Sequence, residues 1–101
     1  MEKKAVTIEE NLASAREHLQ EIDKEIFRLI ALRCKAAAQI AAAKQKTGTP
    51  TIDENQRDVV LARSEEWARE EGIDQEKIRE IFAILIQMNE TTQKQLKKKT
   101  D

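Results

Sequence analysis

Apolar residues recur three and four positions apart through the first half of the chain, at Ile8, Leu12, Ala15, Leu19, Ile22, Ile26, Leu29 and Ile40. That spacing is one face of an α-helix. Neither proline nor glycine interrupts it before Thr47-Gly48-Thr49-Pro50. A second break falls at Gly72, followed by Asp74. The pattern therefore predicts three helices, over roughly 8–46, 54–71 and 75–97. Asp53 and Asp74 are placed to cap the second and third helices at their N-termini. Gly72 suits the left-handed turn that ends the second. The apolar side of the second helix is Val60, Leu61, Trp67 and Ala68, with Trp67 expected to anchor the core. The third carries Ile78, Ile81, Phe82, Leu85 and Leu96, and Lys97-Lys98-Lys99 reads as its frayed end.

The first helix raises a difficulty of length. About 40 residues make a helix of roughly 60 Å, whereas a compact domain of this size has a radius of gyration of about 13 Å. The two shorter helices cannot cover such a stripe unless they run end to end along it. A second copy of the chain is the simplest partner for the remainder. The expected architecture is all-α: a three-helix protomer with one very long N-terminal helix, in an entwined homodimer. Residues 1–101 are expected to form a single domain, with its core over about 8–96.

Composition agrees. Aromatics are 3% of the 101 residues, there is no tyrosine, and Gly and Pro together number three, which is too few turn-formers for a sheet protein. Eighteen basic against 19 acidic residues leave a net charge of −1, giving no general attraction to nucleic acid or to a membrane surface. No apolar run reaches the length of a membrane span, and the opening Met-Glu-Lys-Lys leads into no signal core. A single cysteine, Cys34, makes no intrachain disulfide. The expectation is a soluble, cytoplasmic protein.

Polar residues stand where the helical pattern calls for apolar ones. On a wheel of about 100° per residue, Arg33 falls between Ile22 and Ile26, Lys44 falls beside Ile26, and Arg16 lies on the flank. A buried cation needs an anionic or polar partner. Two readings stay open on this ground: an internal salt bridge or snorkelling side chain, and a pocket for an anionic ligand. On the third helix Asn89 and Gln93 share the apolar side, and buried amides must also find partners. Arg57 points close to the apolar side of the second helix, with Gln56 on its other margin.

Reactive groups are scarce. His18, the one histidine, falls on the polar side of its helix, and Cys34 has no histidine partner. No glycine-rich phosphate loop and no zinc-like spacing occurs. Neither a metal nor a cofactor is expected.

Taken in order, several segments resemble the all-helical (AroQ-class) chorismate mutases. They are Ala15-Arg16 through Glu21-Ile22-Asp23, Leu32-Arg33, Ala43-Lys44 and the loop Gly48-Thr49-Pro50-Thr51-Ile52-Asp53. Val60-Leu61, Gly72-Ile73-Asp74, Ile81-Phe82 and Asn89 through Gln93 continue the series. Each is weak alone; their joint order and spacing are specific. The resemblance implies an entwined dimer and the Claisen rearrangement of chorismate to prephenate in aromatic amino-acid synthesis, with no covalent intermediate. It implies that Arg33 binds a substrate carboxylate and that Arg16 reaches across the dimer to one in the other chain's site. Lys44 would contact a carboxylate and the ether oxygen, and Gln93 the same oxygen. Asp53 would hold the ring hydroxyl through its backbone, and Asn89 would line the pocket.

One position departs from the family. Three and four residues beyond Asp53 the family commonly carries Arg and then Glu, the Glu accepting from the ring hydroxyl. This chain has Gln56 and Arg57 there, and Arg57 has no acceptor atom. A local shift of the helix start, replacement of the missing cation by Arg57, or a different ring substituent would each account for it. The alternatives are therefore an isochorismate pyruvate lyase or an amino-chorismate mutase on the same scaffold, or a non-catalytic helical dimerisation module.

Overall fold

The computed structural model describes residues 8–50 and 53–100, with side chains placed over 11–50 and 53–95. Among them the regular structure is entirely helical: α1 over Ile8–Thr47, α2 over Glu54–Glu71 and α3 over Gln75–Thr100. The predicted elements and their order are all present, and α3 runs three residues further than its pattern implied. Thr51 and Ile52 of the connecting loop, and the side chains of Ile8 and Leu96, lie outside the described residues.

The ends of the helices follow from local chemistry. Asp53 is extended and its side chain accepts from the Gln56 backbone N–H, capping α2. Asp74 does the same for α3 through the Lys77 N–H at 3.1 Å. Gly72 takes φ 69° and its N–H closes onto the last carbonyls of α2. At the end of α1, Gly48 takes φ 74°. The Lys44 carbonyl there accepts from the Thr49 N–H at 3.0 Å and from the Thr47 hydroxyl at 3.3 Å. The backbone at Lys44 is thus tied to the loop that leads to α2.

The chain divides into two units, Met1–Ala31 and Leu32–Asp101. In the first, α1 is a bare amphipathic helix. Leu12, Leu19, Ile22, Ile26 and Leu29 are 41–57% exposed, and Phe27, off the stripe, is 72% exposed.

The second unit holds an antiparallel hairpin of α2 and α3. Arg57, early in α2, pairs with Glu90, late in α3, while Glu65 pairs with Arg79 at 3.2 Å near the turn. Leu61, Ser64 and Ala68 are buried along α2, and the Ser64 hydroxyl donates to the Leu61 carbonyl at 2.7 Å. Trp67 differs from expectation. It stays half-exposed, with one contact edge-on to Phe82 at 6.1 Å and the Arg63 guanidinium 5.2 Å from its ring centre. Its indole rides on the rim of the hairpin, and the small Ser64 and Ala68 fill the interior. On α1 the buried side chains of this unit are Ala37 and Ala41. They lie four and eight residues after Arg33, along the same side of the helix.

Candidate active site

A cleft of about 100 Å³ opens where the end of α1, the start of α2 and the second half of α3 meet. Lys44 enters it from α1; Asp53, Gln56 and Arg57 come from the first turn of α2, and Asn89, Glu90 and Gln93 from α3. Val60 and Ile86 supply apolar wall. Six of the eight residues singled out in the sequence therefore line one cavity.

A seventh, Arg33, is joined to it by a hydrogen bond: its Nη1 donates to Asn89 Oδ1 at 2.7 Å, across 56 residues of sequence. This bond fixes the Asn89 amide with its oxygen on the arginine. Arg33 is part-buried and makes no ion pair with any described carboxylate. Its positive charge is held in place by a neutral partner and is not cancelled. The eighth residue, Arg16, belongs to the exposed N-terminal stretch of α1.

Gln93 is 8% exposed, Lys44 and Asn89 are half-buried, and Gln56 sits at the open edge. Asp53 spends one carboxylate oxygen on the α2 cap, and its carbonyl accepts from the Arg57 N–H at 3.1 Å. The α2 helix starts regularly from its Asp53 cap, with Gln56 and Arg57 both in its first turn.

The residue that sequence reasoning missed is Glu90. Arg57 Nε donates to Glu90 Oε2 at 3.2 Å, and Arg57 Nη2 donates to the same oxygen. The bond and charge of Glu90 raise the pKa of the Arg57 guanidinium above its ordinary value. On the wheel Glu90 lies beyond Gln93, outside the apolar stripe, and reads as a solvated glutamate. The signal for it is the row Ile86, Glu90, Gln93 at four- and three-residue spacing, all three of which face the cleft.

The lining carries two cations, Lys44 and Arg57, and two carboxylates, Asp53 and Glu90; Arg33, bonded to Asn89, adds a third cation beside it. Among the described residues no nucleophile of the Ser, Cys or His type lines the cavity. Fixed guanidinium, ammonium and amide groups suit recognition of carboxylates and developing negative charge.

Among the described residues the protein is all-helical, and charged and amide side chains brought together from its three helices line one cleft. The sequence profile of the family described as chorismate mutase type II matches residues 15–94. The chain is 34% identical over 91 residues to a chorismate mutase from Methanocaldococcus jannaschii, an overlap covering 90% of this chain and 92% of that protein. It is 29% identical over 86 residues to a bifunctional chorismate mutase/prephenate dehydratase from Buchnera aphidicola, spanning 85% of this chain but 22% of that longer protein. The chain belongs to the chorismate mutase type II family.

Proposed function

We propose that this protein is a chorismate mutase that converts chorismate to prephenate by placing fixed charges and hydrogen-bond donors around a pericyclic transition state. The observation that carries the reading is the convergence of Lys44 from α1 and Gln93 from α3 on one cleft, with Arg33 anchored beside it.

Chorismate carries two carboxylates and an enolpyruvyl ether. Breaking the C–O bond while the new C–C bond forms leaves negative charge on the ether oxygen. In this reading the Lys44 ammonium and the Gln93 amide N–H stabilise that oxygen, and they bind it more strongly in the transition state than in the ground state. Arg33 holds one carboxylate, with Asn89 keeping the guanidinium in register. The Asp53 backbone supports the ring hydroxyl. Fixing both carboxylates also folds the side chain over the ring, which removes an orientational barrier. A million-fold acceleration asks for about 8 kcal/mol, a sum these two effects reach together.

The site is completed by a second copy of the chain. Three cations against two carboxylates leave one net positive charge for a dianionic substrate. Arg16 of the second chain would provide the missing cation. The exposed face at Leu12, Leu19, Ile22, Ile26 and Leu29 is what a homodimer would bury, and each 101-residue chain is read as one domain of that dimer. Among the described residues no helix is long and apolar enough to cross a membrane, and a cytoplasmic location is part of this reading.

Incubating the purified protein with chorismate, and separately with isochorismate, with products identified by NMR, tests the proposal. Prephenate from chorismate is the expected result. Pyruvate and salicylate from isochorismate, with chorismate untouched, would reassign the enzyme as a lyase. Turnover of neither would leave the amino analogue or a non-catalytic module.

A further inference from the structure

The Gln56-Arg57 departure leaves the α2 side of the cleft without the carboxylate that the family commonly carries there. The structure holds a carboxylate in the cleft all the same, on a different helix. Glu90 is largely buried, its side chain 17% exposed, and it lines the same wall as Asn89 and Gln93. Both Arg57 bonds fall on Oε2, and no bond among the described residues engages Oε1. A carboxylate oxygen has two lone pairs to offer. Asp53, the other acid of the cleft, has an oxygen committed to the α2 cap. The Asn89 oxygen already accepts from Arg33.

We propose that Glu90 is the specificity-determining acceptor for the ring hydroxyl of the substrate, held in position by Arg57. The inference rests on the chorismate reading above and adds to it the residue that recognises the ring. The hydroxyl hydrogen is donated to Glu90 Oε1, while the hydroxyl oxygen remains able to accept from the Asp53 backbone. Arg57 serves as the positioning residue. Its Nε and one Nη2 hydrogen are spent on Glu90, and its Nη1 group remains available for a substrate carboxylate. A cation and an acid thus face the substrate from α2 and α3 together. A purely structural staple between these helices would not need this location, since Glu65 and Arg79 already tie them at the exposed end of the hairpin.

The test compares kcat/KM for chorismate with kcat/KM for an analogue in which hydrogen replaces the ring hydroxyl, using the full chain and its Glu90→Ala and Glu90→Gln variants. A site built to bond a hydroxyl rejects a substrate lacking it, so the wild-type chain should prefer chorismate by at least about tenfold. Glu90→Ala should bring that ratio close to one by lowering turnover of chorismate far more than turnover of the analogue. Glu90→Gln, nearly isosteric and still an acceptor, should give an intermediate ratio, and it carries the test if the alanine variant loses helicity. Chorismate turnover with a ratio unchanged by either substitution, or a wild-type chain indifferent to the hydroxyl, would overturn the role of Glu90 alone. Failure of the wild-type chain to act on chorismate would overturn the function reading and this inference with it.

Discussion

Arg33 and Asn89, 56 residues apart, meet through a 2.7 Å hydrogen bond that joins α1 to α3 beside the cleft. A neutral amide is an uncommon partner for a part-buried guanidinium, which ordinarily finds a carboxylate. Here it supplies geometry without cancelling the charge, which the proposed function assigns to a substrate carboxylate.

That relationship predicts two different failures. Arg33→Lys keeps the charge but loses the planar fork, and kcat/KM for chorismate should fall by about 10²-fold. Asn89→Asp should fail by another route, since the new carboxylate would cancel the charge of Arg33 and raise KM. Circular dichroism should report unchanged helicity in both variants. Wild-type kinetics in Asn89→Asp would show that the Arg33 charge is not used on substrate.

Lys44 and Gln93 approach the cleft from separate helices, and their proposed contact is with charge that develops only as the reaction proceeds. Lys44→Met should therefore reduce kcat by about 10²–10³-fold with a smaller effect on KM. Gln93→Leu, which replaces a buried amide with a similar volume, should lose activity while stability to urea stays close to wild type. A Gln93→Leu enzyme with full kcat would remove Gln93 from the chemistry.

Ala37 and Ala41 are 3% and 4% exposed and stand between Arg33 and Lys44 along α1. Their small size sets how closely this part of α1 lies to its surroundings. Ala41→Leu should overpack that contact, costing about 1–3 kcal/mol in urea unfolding. It should also lower activity, because it displaces the two cations that flank it. Unchanged stability would mean that the position has room to spare.

Much of this was legible in the sequence because the physics is local. The caps at Asp53 and Asp74 and the left-handed turn at Gly72 are decided within a few residues, and each forms as expected. That Lys44 interrupts one apolar stripe and Asn89 and Gln93 another was legible helix by helix, whereas their grouping in one site was implied only by the family resemblance. Glu90 was not legible on that ground, because it lies off the stripe and gains its meaning only when Arg57 arrives from another helix. Trp67 was misjudged for a related reason. A large apolar ring marks the core side of a helix, yet close packing of α2 favoured Ser64 and Ala68, which are 0% and 2% exposed. Burial of that kind depends on how two helices approach, which helical periodicity does not encode.

The long first helix poses the most consequential question, since Arg16 and Arg33 lie on the same α1 but are assigned to different sites. Mixing an Arg16→Ala chain with an Arg33→Ala chain, each inactive alone, tests that division directly. In a heterodimer one site would keep both arginines and the other would lose both. Equal mixing with free exchange should therefore restore roughly a quarter of wild-type activity. Mass spectrometry of the intact complex would verify that the subunits have exchanged. Recovery of activity near that level is the predicted result; no recovery despite proven exchange would contradict a site shared between two copies of the chain.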